Sequence, residues 1–570
     1  MATLNFKGKT FVQNHHLLVK YHQLIPKKDK SLTKKVSLSD NLIIHGDNLK
    51  ALKALLPIYG GKIKCIYIDP PYNTGNERWV YNDNVNSPMM QEWLGKVVDK
   101  EDLTRHDKWL CMMMPRLKLL RELMTEDGVI FISIDDNEFH KLRMLMEMDE
   151  LFGPDNFIAC ISIKANPRGR QSDEHIATVH EYLLCYAKHS EYLEMNGLPL
   201  TKENIDEFDQ EDKDGKKWRE LGLRQRGSAS LREDRPDMWF PIFIDPESGK
   251  VSLKSTAKHI IEVYPKKSDG REGRWMWSPK KVQDEIIRVY GRKIANKDRY
   301  DIFIKDYIDR NGEQRTAKPR SMWLDSEVNT ELGGKLLKLI LGKKTLEYPK
   351  PVGLIKRILQ IASEPNSIIL DSFAGSGTTA HAVLDFNKED DGIRKFILIQ
   401  CDEFNKNTGK IEDICDKITA ERIRRVINGV PKAKDEALKK GFGGTFSYFE
   451  LGKPIEMESI LDGKDMPSYS ELARYVFYTA TGEEFDEKAI DEENNFIGES
   501  REYLVYLIYK PDIEYLKATA LTLERAKKLG PYKNKKRLVF APTKYLDQDH
   551  LDELRIDFAQ LPFEIYKLAK

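Results

Sequence analysis

The sequence predicts an α/β protein built on an open, mostly parallel sheet, interrupted by a large insert and followed by a smaller α+β region. Three observations carry this expectation. Apolar β-rich runs alternate with helical periodicity over residues 41–164 and again over 326–435. The 165–325 stretch between them has another texture, richer in Arg, Gly and Trp, with short amphipathic runs such as Met238 to Ile244. Two loops of distinctive chemistry each begin where a strand ends, the edge at which open parallel sheets bind ligands.

In chain order, residues 1–40 are basic and polar, with Lys27, Lys28, Lys30, Lys34 and Lys35 close together. They read as a solvated leader, with an arm touching phosphate as the alternative. Asn41 to His45 is a short strand, Gly46-Asp47-Asn48 a turn with a capping residue, and Leu49 to Leu56 a helix; the strand Lys64 to Ile68 completes a β-α-β unit. After a loop rich in Asn, Gly and Tyr (Asn73 to Pro88), a helix is expected over Lys108 to Met124. A buried strand over Gly128 to Ile134, a helix to about Leu151 and a strand over Asn156 to Ile163 follow. Inside the insert, Glu181 to Ala187 reads as a last strand of the sheet. Beyond it come a helix (Pro351 to Ile361), a strand (Ser367 to Leu370), a glycine turn (Phe373 to Thr379), a helix (Thr379 to Asn387) and a strand (Lys395 to Gln400). A C-terminal region over 440–570 carries strand runs such as Thr445 to Leu451 and Tyr503 to Tyr509 and ends in a mixed tail, Gln560 to Tyr566.

At 570 residues the chain holds two to four domains. Its 92 Lys+Arg nearly cancel 91 Asp+Glu, so net charge does not announce a nucleic-acid binder. The local balance differs: residues 251–320 hold eighteen Lys/Arg against ten Asp/Glu. Six scattered cysteines without a CxxC pair read as reduced core residues of a cytoplasmic protein and argue against a zinc site. No run approaches the length of a membrane span, and the start of the chain lacks the apolar core of a signal peptide.

The first distinctive loop is Asp69-Pro70-Pro71-Tyr72, directly after Ile68. Proline cannot donate to a ladder and restricts the residue before it, so the strand must stop and the loop must be stiff. A carboxylate and a flat aromatic held rigidly at a sheet edge suggest a site; a structural turn with a surface Asp is the plainer reading. The second is Asp371-Ser372-Phe373-Ala374-Gly375-Ser376-Gly377-Thr378-Thr379-Ala380. Strand, glycine turn and helix in that order let backbone approach a nucleoside-bearing ligand closely. The spacing fits a dinucleotide fingerprint, whereas the missing Lys before Ser/Thr disfavours a phosphate-cradling P-loop. Beyond the next strand, the acids Asp402 and Glu403 stand where such units accept hydrogen bonds from ribose hydroxyls.

The combination of DPPY with FAGSGTT resembles the amino-methylating DNA methyltransferases that use S-adenosyl-L-methionine. The order, with the catalytic loop before the glycine loop and a large insert between, resembles the β class of adenine-N6 enzymes, a circular rearrangement of the Rossmann-like methyltransferase sheet. GDNLKALKALLPIYGGKIKCIYIDPPYNTG, FISIDDNE, NPRGRQSDEHIATVHEYLL and YPKPVGLIKRIL further resemble the modification subunits of type III restriction systems.

The resemblance implies a role for each residue. Asp69 and the Pro70 carbonyl would accept the two N–H bonds of a flipped adenine's amine, Pro71 would stiffen the loop, and Tyr72 would stack on the base. Phe373, Ala374, Gly375, Ser376, Gly377, Thr378 and Thr379 would surround the methionine and ribose of the cofactor. Asp47 and its neighbour Asn48 would lie near the cofactor's adenine, Glu403 on the ribose hydroxyls and Lys350 at the methionine end. Family members often have Pro-Glu where this chain has Asp402-Glu403, so both acids are ribose candidates. The basic insert would be the target-recognition domain on double-stranded DNA, its Trp239, Trp275 and Trp277 either wedging or, more in keeping with tryptophan, forming core. The implied partners are a second copy in a homodimer and a separate restriction subunit with helicase and nuclease activities. No metal is implied. A solitary methyltransferase without a restriction partner, cytosine-N4 methylation, which the family associates with Ser in place of Asp69, and a non-catalytic DNA-specificity protein are the alternatives, with a dinucleotide oxidoreductase the poorest.

Overall fold

The computed structural model describes residues 4–74, 104–148, 151–169, 173–295, 299–310, 313–343, 345–346, 348–405, 410–455, 466–483, 485–531 and 534–561. Most of the loop expected over Asn73 to Pro88 and the tail beyond Leu561 lie outside these residues. The chain divides into two compact units, one comprising residues 1–196 and 320–570, the other Gly197–Pro319.

The larger unit is organised by a 10-stranded sheet. Its strands are β1 (His22–Pro26), β2 (Leu42–His45), β3 (Ile63–Ile68), β4 (Met124–Ile134), β5 (Phe157–Ile163), β6 (Glu181–Ala187), β7 (Met322–Trp323), β8 (Ile368–Asp371), β9 (Lys395–Gln400) and β10 (Ser447–Pro454). Across the sheet they run β1-β10-β2-β9-β8-β3-β4-β6-β5-β7. From β10 to β4 all neighbours are parallel, and β6 lies antiparallel between β4 and β5. Strands covered on both faces are largely apolar, as in β3, where all six residues are buried and the one charged residue, Lys64, donates to Asp127. The Glu181 to Ala187 run thus takes its place in the sheet.

The strands flanking the expected β-α-β unit are not neighbours. β8 and β9, some three hundred residues later, insert between β2 and β3. Helix Asn48–Tyr59 still connects β2 to β3, started by Asp47, whose side chain accepts the Lys50 N–H at 3.1 Å. Helices Arg105–Leu123, Val352–Ala362 and Thr378–Asp390 accompany the sheet. The order of successive strands reverses about the β8–β3 pair, a switch point of the kind at whose carboxyl ends open parallel sheets bind ligands.

Two expected boundaries shift. Residues 22–26, expected within a solvated leader, form the edge strand β1 against β10. β10 itself, expected to begin the C-terminal region, belongs to the central sheet because it pairs in parallel with β2. The four-stranded sheet that follows, Phe496–Glu499, Tyr503–Leu507, Lys536–Ala541 and Ile556–Gln560, has helices and a core of its own. It stays within the same compact unit: Tyr475 on helix Tyr469–Thr481 meets Tyr21 edge to face, with centroids 4.9 Å apart.

The smaller unit is built from short hairpins, including a four-stranded and a three-stranded sheet. Trp275 and Trp277 lie in its core, while Trp239 is half-buried and stacks on Tyr264 at 5.1 Å. Cys65, Cys111, Cys185 and Cys415 are buried thiols, Cys160 is half-buried, and Cys401 is exposed rather than core. No helix among the described residues is long and apolar enough to cross a membrane.

Candidate active site

Register explains why the two distinctive loops meet. Leu370 of β8 pairs with Ile66 of β3 in parallel, so three residues further on Phe373 and Asp69 leave the sheet side by side. Each loop is then stiffened by its own sequence. Pro71 offers its carbonyl to the indole N–H of Trp109 at 2.7 Å. Asn73, buried and left-handed at φ 56°, donates to Glu138 at 2.5 Å and to the Arg105 carbonyl at 3.2 Å. Burial pushes the Glu138 carboxyl up to about 7, with the Asn73 hydrogen bond opposing. These contacts fix the Asp-Pro-Pro-Tyr turn from its far side.

Asp69 is recessed but not sealed, with 27% of its side chain accessible. Its Oδ1 is buried and lies 3.4 Å from the Lys350 ammonium, so the accessible part of the side chain lies elsewhere. Burial raises the Asp69 carboxyl to about 6, with Lys350 opposing that rise. Lys350 also donates to the Tyr72 hydroxyl at 2.7 Å and to both oxygens of Glu181 at 2.7 and 2.8 Å. Burial disfavours its charge, but Asp69 and Glu181 outweigh that and raise its pKa.

The glycine loop is held from beneath. Asp371, raised to about 7 by burial, accepts the Phe373 N–H at 3.0 Å and the Thr379 hydroxyl at 2.5 Å. Gln400 receives the Gly375 N–H at 2.6 Å, and the Thr419 hydroxyl donates to the Gly375 carbonyl at 2.6 Å. Buried Arg422 reaches the Ser376 and Thr378 hydroxyls, each at 2.8 Å, and burial lowers its pKa to about 9. Gly375 and Gly377 have φ of +51° and +76°, which L side chains rarely adopt.

This turn has the features of a ligand cradle. A Cβ at Gly375 would project into open space, meeting nothing nearer than the Phe373 carbonyl at 4.0 Å. Ser372 Oγ, in the same loop, is buried without a hydrogen-bond partner among the described residues. Asn48 joins the cradle by donating to the Ser372 carbonyl at 2.9 Å. Asp47 and Asn48 are themselves held by Arg116, at 3.4 and 2.6 Å. At the end of β9, Asp402 bonds His45 at 2.8 Å. The backbone of Glu403 pairs with Glu412, but its side chain, the expected ribose contact, lies outside the described residues.

The sheet edge therefore brings together Asp69 to Tyr72, Lys350, Asp47, Asn48 and the Phe373 to Thr379 turn. Lys350, expected at the methionine end, directs its ammonium to the Asp-Pro-Pro-Tyr loop, while its carbonyl accepts the Thr378 hydroxyl at 3.1 Å. Glu181, Trp109 and Glu138 were not singled out from the sequence. The available signal was weak: a charged residue at the head of an apolar strand, and a tryptophan and an acid in helix-forming stretches.

A largely parallel sheet with a nucleoside-type glycine cradle beside a rigid Asp-Pro-Pro-Tyr loop fits an S-adenosyl-L-methionine-dependent methyltransferase. Comparison with known proteins agrees. The family profile described as DNA methylase matches residues 63–410. The type III restriction-modification enzyme EcoPI Mod subunit of Escherichia phage P1 is 35% identical over 478 residues, 80% of this chain and 73% of that protein. The type II methyltransferase M.KpnI of Klebsiella pneumoniae is 34% identical over 71% of this chain and 92% of its own. The EcoP15I Mod subunit of Escherichia coli is 30% identical over 77% of this chain and 70% of its own. The chain belongs to the DNA methylase family, with relatives among the Mod subunits of type III restriction-modification systems, and S-adenosyl-L-methionine is its cofactor.

Proposed function

We propose that the protein methylates the N6 amine of an adenine flipped out of duplex DNA, as the modification and recognition subunit of a type III restriction-modification system. The observation that carries this reading is the pairing of a rigid, partly accessible Asp69 with the glycine cradle across adjacent strand ends. An exocyclic amine is a weak nucleophile because its lone pair is delocalised into the ring. Asp69 and the Pro70 carbonyl accept its two N–H bonds, which localises that lone pair. The prolines and the Trp109 bond set these acceptors in place beforehand, so little reorganises in the transition state. Tyr72 stacks on the extruded base, a contact worth about 1–3 kcal/mol in comparable sites. The cofactor supplies an electrophilic methyl group, and residues Phe373 to Thr379, Asp47, Asn48 and the Asp402–Glu403 end of β9 hold and orient it.

The Gly197–Pro319 unit is the target-recognition module in this reading, its Arg and Lys contacting phosphates and base edges. The partners in this reading are a second copy in a homodimer and a separate restriction subunit; the likeness to type III restriction-modification Mod subunits supports the latter. Labelled methyl transfer to unmethylated genomic DNA, followed by nucleoside mass spectrometry, tests the assignment. N6-methyladenine is expected; N4-methylcytosine alone would overturn it, and so would an absence of transfer.

A further inference from the structure

Glu181 opens β6, is 8% exposed, and shares the Lys350 ammonium with the catalytic carboxylate. Three groups close a triangle there. Lys350 Nζ donates to both Glu181 oxygens at 2.7 and 2.8 Å and to the Tyr72 hydroxyl at 2.7 Å, and that hydroxyl donates to Glu181 at 3.1 Å. Asp69 receives the longer 3.4 Å approach of the same ammonium and also faces the Tyr72 hydroxyl, which favours its ionised form. A lysine placed between two carboxylates divides its charge according to distance, and here the division favours Glu181.

We infer that Glu181 is a positioning residue for methyl transfer: it draws the Lys350 ammonium off Asp69 and pins the Tyr72 hydroxyl, leaving Asp69 to meet the target amine. The inference rests on the roles given to Asp69 and Tyr72 above. Were Glu181 neutral, Lys350 would turn its full charge on Asp69. A carboxylate engaged in a tight ion pair is a weaker acceptor for an incoming N–H, and the Tyr72 hydroxyl would lose the hold of the Glu181 carboxylate.

The effect on titration has a definite sign. The groups facing Asp69 are Lys350, Glu181, Tyr72, Tyr67 and Asp371. Of these, Glu181 raises the Asp69 pKa and Lys350 lowers it. Removing the Glu181 charge therefore strengthens the Lys350 influence and removes an opposing one, so the acidic limb of the rate profile must move to lower pH.

The test is the full-length Glu181→Gln protein, assayed for labelled methyl transfer to unmethylated genomic DNA at saturating S-adenosyl-L-methionine, from pH 5 to 9. The expected result is a kcat lowered on the order of 10-fold, with cofactor Kd within about 3-fold of wild type. The acidic limb is expected to move down by more than ~0.3 pH unit. A purely structural role would not move that limb. Unchanged kcat with an unmoved limb in an active, folded variant would overturn the inference while leaving adenine methylation standing. Wild-type protein that makes no N6-methyladenine would overturn both. Should Glu181→Gln fail to fold, Tyr72→Phe carries the test, because it removes the hydroxyl that Glu181 and Lys350 hold while keeping the ring. Lowered kcat at unchanged cofactor affinity supports the inference, and wild-type kcat overturns it.

Discussion

The Asn48 amide donates to the Ser372 carbonyl at 2.9 Å, joining residues 324 apart in sequence. This bond couples the start of helix Asn48–Tyr59 to the glycine turn, and Asn48 Oδ1 in turn accepts from Arg116 at 2.6 Å. Asn48→Ala removes both while leaving Asp47 to cap the helix. We expect cofactor Kd to rise about 5- to 30-fold, as one to two kcal/mol of lost hydrogen bonding would give. Isothermal titration calorimetry reads this directly, and an unchanged Kd would remove Asn48 from the cofactor site.

Asp69→Ala separates chemistry from cofactor binding. The carboxylate lies at the end of β3, and the Gly375 cradle is built from other residues. Transfer should fall by at least ~10³-fold, the scale of losing a preorganised transition-state acceptor, with cofactor Kd little changed. Near-normal turnover would refute the role of that side chain.

The pH dependence follows from the Asp69 carboxyl at about 6, raised first by burial. Only the ionised form is a strong acceptor for its share of the amine hydrogens, the other going to the Pro70 carbonyl. Activity should therefore be full above that value and decline about tenfold per unit as pH falls below it. A rate profile flat from pH 5 to 8 would contradict an ionised Asp69 in the rate-limiting step.

Gly375→Ala tests the cradle. The backbone at φ +51° costs an L residue about 1 kcal/mol, and the new methyl would stand in the open space above the turn. We expect at least ~10-fold weaker cofactor binding with only a small drop in melting temperature. A large loss of stability with normal affinity would mean that the open side of the turn faces no ligand.

Trp109→Phe keeps a smaller aromatic ring in the core and deletes the 2.7 Å bond to the Pro71 carbonyl. The loop loses one of its fixed points, worth about 1 kcal/mol. Single-turnover methyl transfer should slow about 3- to 10-fold, more than cofactor affinity changes; equal loss of both would place Trp109 in general packing.

The chain's local chemistry was legible without coordinates wherever short-range rules apply. Two prolines after Ile68 end a strand, glycines after β8 permit positive φ, and Asp47 caps a helix, since each follows from sterics within a few residues. The α/β class and the two loops could be read for that reason. Partnership between distant segments could not. That β8 and β9 slide between β2 and β3, that β10 belongs to the central sheet, and that residues 22–26 are its edge all depend on which apolar strands best cover one another across hundreds of residues. Local propensity carries no information about that choice. Likewise, a Lys after a Tyr-Pro pair and a Glu heading an apolar strand each look ordinary alone. Only the folded sheet edge sets Lys350 between Glu181 and Asp69, where burial makes the distances of 2.7 and 3.4 Å decide how its charge is shared.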